Sequence, residues 1–95
     1  MTLYESVIVF NPQLDEENLE KAIARVEEVI KNGAGEITKL DRWGKRRLAY
    51  EVKGFTEGFY LLIEMNAPSS TSQELDRVLR ISDDVIRYLI IRLNT

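Results

Sequence analysis

The residues best suited to chemistry in this chain are cationic and aromatic, and they cluster. Lys45-Arg46-Arg47 is preceded by Trp43 and followed by Tyr50. Guanidinium and ammonium groups bind phosphate oxygens and flat rings accept an unpaired base, so the cluster suits a ribose-phosphate chain. It also suits a blander role, because lysine and arginine on an edge strand discourage pairing with foreign strands. Both readings stand on the sequence. Successive strand residues point to opposite faces, so Arg46 and Arg47 share a surface only where the strand twists or bulges, and one of them is a candidate to pair with an acid of a helix. Arg87 and Arg92 add isolated cations to an otherwise apolar run and, by the same parity, face opposite ways.

Most other chemistry is excluded by composition. The chain has no cysteine and no histidine, which removes disulfides, thiolate and imidazole metal ligands, thiol nucleophiles and the usual proton shuttle at neutral pH. Carboxylates, lysines and hydroxyls remain, but none is spaced for an oxygen-ligand metal site. Asp83-Asp84 fits a turn or a cap better than a metal site. No catalytic residue, cofactor or metal is therefore expected. No run of eighteen apolar residues and no basic-then-apolar leader is present, so the expected location is the cytoplasm.

Net charge is -3, which on its own argues against a nucleic-acid partner. The distribution argues otherwise. Between Lys39 and Lys53 stand six basic residues against two acidic ones, whereas Asp15 to Lys31 holds six acids and three bases. The acidic segment, with Glu16, Glu17, Glu20, Glu27 and Glu28 around Lys21 and Arg25, reads as a solvated helix face laced with i,i+4 pairs. That face would repel RNA.

The elements that must position these groups follow from pattern. Leu3 to Phe10 is β-branched and aromatic and stops at Asn11-Pro12, which predicts a strand. Asp15 is an N-cap candidate for a helix carrying Leu19, Ile23, Val26 and Ile30 on one side and ending at Asn32-Gly33. From Glu36 to about Lys53 the pattern is extended, with Gly44 as a bulge or bend. The stretch Gly54 to Gly58 is expected as the hairpin loop into a strand from Phe59 to Met65. Ser70 and Gln73 suggest a capping box for a short helix with Leu75, Val78 and Leu79 inside, and Val85 to Leu93 is the last strand. The order β-α-β-β-α-β predicts a single α+β domain over 1–95 of the ferredoxin-like class, a four-stranded antiparallel sheet with two helices on one face.

Helices on one face can cover only one parity of each strand, yet three strands are apolar on both. Ile8 and Phe10 oppose Val7 and Val9; Leu61 and Ile63 oppose Tyr60 and Leu62; Ile86, Tyr88 and Ile90 oppose Leu89 and Ile91. The surplus predicts an exposed apolar patch on the open face, which marks a partner surface. A partner protein is the leading occupant, with a homodimer or an intramolecular cover as alternatives. The aromatic signatures of general RNA-recognition modules are absent from the central strands. Asn11-Pro12-Gln13-Leu14 also stands where phosphate-hydrolysing domains of this layout place a glycine-rich loop and an arginine.

Gly44-Lys45-Arg46-Arg47-Leu48-Ala49-Tyr50-Glu51-Val52-Lys53 resembles the signature of the sixth protein of the bacterial small ribosomal subunit: glycine, any residue, a basic residue, a polar or charged one, then Leu-Ala-Tyr or Leu-Ser-Tyr. Tyr4-Glu5, Asn11-Pro12, Gly58, Leu79-Arg80-Ile81 and Asp84-Val85 extend the likeness across nearly the whole chain. The resemblance implies a structural, non-catalytic protein of the cytoplasmic ribosome that binds the central domain of small-subunit (16S) ribosomal RNA as a heterodimer with the eighteenth small-subunit protein. On that basis Lys45, Arg46, Arg47, Arg87 and Arg92 are expected at RNA, and Val7, Val9, Tyr50, Tyr60, Leu62, Leu89 and Ile91 at the partner protein. Weak self-association of the isolated chain through the same apolar face is a further expectation. Thr2-Leu3 stands where some relatives place basic residues, so the resemblance assigns no RNA contact there, and it assigns no tail function. The alternative in another class is a ligand-binding or enzymatic ferredoxin-like domain acting as a homodimer.

Overall fold

The computed structural model describes residues 1–93, so the last two residues of the expected 1–95 span lie outside the described residues. Its elements run β1 (Thr2–Phe10), α1 (Glu16–Asn32), β2 (Glu36–Val52), β3 (Phe55–Ala67), α2 (Ser69–Ile81) and β4 (Val85–Arg92). The strands form one antiparallel sheet in the order β2-β3-β1-β4, the expected ferredoxin-like arrangement.

Alternation selects the covered face. Tyr4, Ile8 and Phe10 of β1 and Leu61, Ile63 and Met65 of β3 meet Ala22, Ile23, Val26 and Ile30 of α1 and Leu75 and Leu79 of α2. Truncating a fully buried member such as Leu75 to alanine costs about 2–5 kcal/mol, because the removed methyl groups lose contacts that the surroundings only partly replace.

α1 begins as its sequence dictates. The Asp15 carboxylate accepts the Asn18 N–H at 2.8 Å, and Glu16 and Glu17 lie in the first turn, where the helix dipole favours anions. At its other end Gly33 caps the helix, and its carbonyl accepts the hydroxyl of buried Thr71, which ties α1 to the first turn of α2.

Three expectations need correction. α2 has no capping box: it starts at Ser69 behind Pro68, with no side-chain cap hydrogen bond. The proline, at φ -65°, already has the dihedral that a helix start requires, which leaves Ser70 inside the first turn. The β2–β3 connection is not a Gly54-to-Gly58 loop but a tight turn at Lys53-Gly54, both at positive φ (51° and 84°), as hairpin turns of the I′ class require. β3 therefore starts at Phe55, and Gly58 is a buried strand residue. Finally, Ile86 does not share a face with Tyr88. The register passes from Phe10 opposite Val85 to Val9 opposite Arg87, so Ile86 is the extra residue of a bulge, and Val85 enters the core in its place.

Candidate nucleic-acid and protein interface

The uncovered face of the sheet is built from the other parity. Val7 lies between Leu62 and Leu89, Val9 between Tyr60 and Arg87, and Glu5 between Glu64 and Ile91. The seven residues expected at a partner protein thus have a common address, six of them on this face of β1, β3 and β4. Exposure rises outward: Val9 and Leu62 are 3% and 7% exposed, whereas Leu89 and Ile91 reach 55% and 41%. Neighbours in the sheet cover the middle, and the apolar strip opens to solvent along β4. Val7, Val9, Tyr60, Arg87, Tyr88 and Leu89 line a shallow depression of about 260 Å³ at its centre.

The seventh residue, Tyr50, reaches the face by a different route. Leu48 to Glu51 of β2 oppose only Thr56 of β3, so this part of the hairpin bulges away from regular pairing. Tyr50 is 62% exposed, and the Arg87 guanidinium on β4 donates to its hydroxyl at 3.0 Å while lying 5.5 Å from its ring centre. A second arginine–aromatic group sits toward β2. The register shift between Arg42 and Gly44, with Gly44 at φ 78°, makes Trp43 an extra residue, and its ring stacks on Tyr60 at 6.2 Å with a 19° tilt. Arg46 lies 5.1 Å from the Trp43 ring centre. The expected bulge at Gly44 is therefore present and sets this group.

Ion pairing sorts the cations. Lys39 pairs with Glu64 at 3.8 Å, Lys45 with Glu57 at 3.9 Å, and Arg42 with Glu20 on α1. The hydrogen bond from Arg42 holds the Glu20 carboxyl below the usual carboxylate range and raises the guanidinium's own value. The partner of the helix acid is therefore Arg42, neither Arg46 nor Arg47. Among the described residues Arg46, Arg47, Lys53 and Arg87 have no ion pair. Their charge is available to an outside anion.

The five cations expected at RNA do not form one surface. Arg46 and Arg87 stand on the open face, and Arg47 is exposed at the hairpin opposite Glu57. Lys45 takes the other parity, 5.2 Å from the Phe59 ring centre. Arg92 pairs across from Tyr4 and lines a hollow with Asp76, Arg80 and Gln73 on the helix side. Lys53 joins the site from the structure, and Trp43, read from the sequence as a flat ring for an unpaired base, takes its place on the open face. The sequence signal for Lys53 was the hairpin turn, whose positive φ places a solvated cation at the tip.

An apolar sheet face rimmed by cations without an ion pair among the described residues defines a ferredoxin-like binding domain. Comparison with known proteins gives its family. The family model described as Ribosomal protein S6 matches residues 3–92, and the chain belongs to that family. It is 51% identical over 89 residues to the small ribosomal subunit protein bS6 of Carboxydothermus hydrogenoformans, covering 94% of this chain and 93% of that one. The protein of the same name from Clostridium acetobutylicum is 46% identical over 93 residues, covering 98% of each. The crystal structure of 30S ribosomal protein S6 from Thermotoga maritima superposes with a TM-score of 0.92 at 34% identity, over 97% of this chain and 87% of that one.

The resemblance carried by Gly44 to Lys53 is thus confirmed. The chain is a small-subunit ribosomal protein of the cytoplasmic ribosome, from a structural family and not an enzyme family, which sets aside the enzymatic homodimer. No described helix is long and apolar enough to cross a membrane.

Proposed function

We propose that this chain binds the central domain of small-subunit ribosomal RNA as one half of a heterodimer with the eighteenth small-subunit protein. The observation that carries this reading is the layout of the open face, an apolar strip opening along Leu89 and Ile91 with cations at its margins. An apolar centre with a charged rim is the anatomy of a protein interface. Val7, Val9, Tyr50, Tyr60, Leu62, Leu89 and Ile91 seat the partner protein. Arg46, Arg47 and Arg87 reach phosphate directly, and Lys45 and Arg92 reach it from the flanks. A cationic partner would also supply phosphate neutralisation that a chain of net charge -3 lacks.

The test is a titration of a central-domain RNA fragment with this chain, with the eighteenth protein, and with both. The expected result is tight binding only with both. Leu89→Asp should abolish the heterodimer and the joint RNA complex while leaving the fold intact, since Leu89 is more than half exposed. Unchanged joint binding by Leu89→Asp would remove the open face from the interface.

A further inference from the structure

The part of the open face nearest β2 carries the chain's single tryptophan. Trp43 stands outside the core cluster, half-buried, on a bulge that turns it to the uncovered side. Fold packing does not require it there. Its ring lies nearly parallel to that of Tyr60, 19° apart with centres 6.2 Å apart, forming a two-ring shelf, and the Arg46 guanidinium lies over the indole 5.1 Å from its centre. At the shelf's edge the indole N–H donates to the Asp41 carboxylate at 3.3 Å, which fixes the ring plane and leaves further acceptor positions on Asp41 open.

We infer that the Trp43–Tyr60 shelf stacks one unpaired RNA base, with Arg46 holding the adjoining phosphate and Asp41 accepting a hydrogen bond from an amino group on the base. This rests on the RNA-binding reading above but moves Tyr60 from the partner-protein set to RNA, leaving the strip from Val7 and Leu62 to Leu89 and Ile91 to the partner protein. Charge decides between these occupants. Arg46 has no ion pair among the described residues and stands on the shelf's face, with Arg47 and Lys53, likewise without an ion pair, exposed at the adjoining hairpin, so an anionic chain is attracted there. Every base offers a π face that stacks on an aromatic ring, and arginine adds its own planar contact. The Asp41 carboxylate repels phosphate, so the backbone lies toward Arg46 and the base toward Asp41. A carboxylate accepts from the amino group of cytosine, and adenine and guanine carry amino groups too.

The single indole is its own reporter. In a titration of the heterodimer with the central-domain RNA fragment, Trp43 fluorescence should quench in step with RNA saturation and stay unchanged when the partner protein alone is added. Trp43→Leu should weaken RNA binding about tenfold or more, Trp43→Phe should restore most of it, and neither should change association with the partner protein. Equal RNA affinity for Trp43→Leu and the unaltered chain overturns the shelf while the RNA-binding reading stands. Quenching by the partner protein alone also overturns it and assigns the shelf to that protein. Failure of the unaltered heterodimer to bind RNA overturns both readings. The quench needs no variant, so it decides the matter even where Trp43→Leu fails to fold.

Discussion

The sorting of cations by ion pairing makes a quantitative prediction about salt. Each phosphate neutralised by a protein cation releases counterions, so the logarithm of the binding constant falls with the logarithm of salt by about 0.7 to 0.9 per contact. Arg46 and Arg87 have no acid partner among the described residues, whereas Arg42 is held by Glu20. Arg46→Gln and Arg87→Gln should each lower the slope by about 0.7 to 0.9, and the double variant by about twice that. Arg42→Gln should leave the slope unchanged, since its charge is already spent on a carboxylate. Lys45→Gln should fall between, because Glu57 at 3.9 Å compensates it only through an exposed pair. The assay is fluorescence anisotropy of labelled central-domain RNA with the heterodimer across a series of potassium chloride concentrations. Equal slope changes for Arg42→Gln and Arg46→Gln would refute the sorting, which assigns Arg42 to Glu20 on the helix side and leaves Arg46 on the open face without an acid partner among the described residues.

Three further predictions concern the frame. A methyl group on buried Gly58 would overlap Val9 Cγ1 and stand 3.0 Å from the Phe10 carbonyl oxygen, so Gly58→Ala should cost about 1–3 kcal/mol. Urea midpoints should show the loss at unchanged slope, and Val9→Ala in the same chain should recover part of it; no recovery would mean the strain lies elsewhere. Ser6 is fully buried, its hydroxyl has no partner among the described residues, and its neighbours across the ladder are Ile63 and Ile90. Ser6→Ala should therefore stabilise by about 1 kcal/mol, seen as a melting point higher by roughly 4–8 °C; a lower melting point would show that the hydroxyl is satisfied. Burial, and then the hydrogen bond donated to Asp76 at 2.8 Å, raise the Tyr88 phenol above its ordinary value. A raised folded value means that the associated stability is complete below about pH 10 and is lost as pH rises through the folded value. Denaturation measured from neutral to strongly alkaline pH should show this loss in the unaltered chain and less of it in Tyr88→Phe.

Much of the fold was legible because its strongest signals are local. The 3.6-residue spacing of α1, the Asp15 cap and the β-branched run of β1 depend on neighbours in sequence, and each appears where expected. The misreadings arose where one residue changes the pairing. Lys53 adopts φ 51°, a conformation that side chains resist and that nothing in its type announces, so the turn was sought among glycines instead. Ser70 and Gln73 fit a capping pattern, but Pro68 starts the helix earlier and turns the pattern inward.

The site was legible to the extent that strand parity is. Alternation alone separates Val7, Val9, Leu62 and Leu89 from the core, because β1 and the middle of β3 pair without interruption. Alternation fails at bulges, and the bulges are where the cations and aromatic rings lie. Trp43 faces Tyr60 because β2 gains a residue beside Gly44, and Tyr50 meets Arg87 because Leu48 to Glu51 leave the ladder, whereas Arg87 sits beside Val9 in the regular β1–β4 ladder and the extra residue Ile86 changes only what lies opposite Phe10. A bulge leaves a residue unpaired and re-aims its side chain. In this chain both arginine–aromatic groups of the open face depend on extra residues of β2, so an uninterrupted β2 with the same composition would scatter them over both faces. The signature Gly44 to Tyr50 thus works partly through geometry. Its glycine provides the positive φ of the bulge, and the bulge sets which of the cations beside it meets an aromatic ring on the open face and which meets an acid.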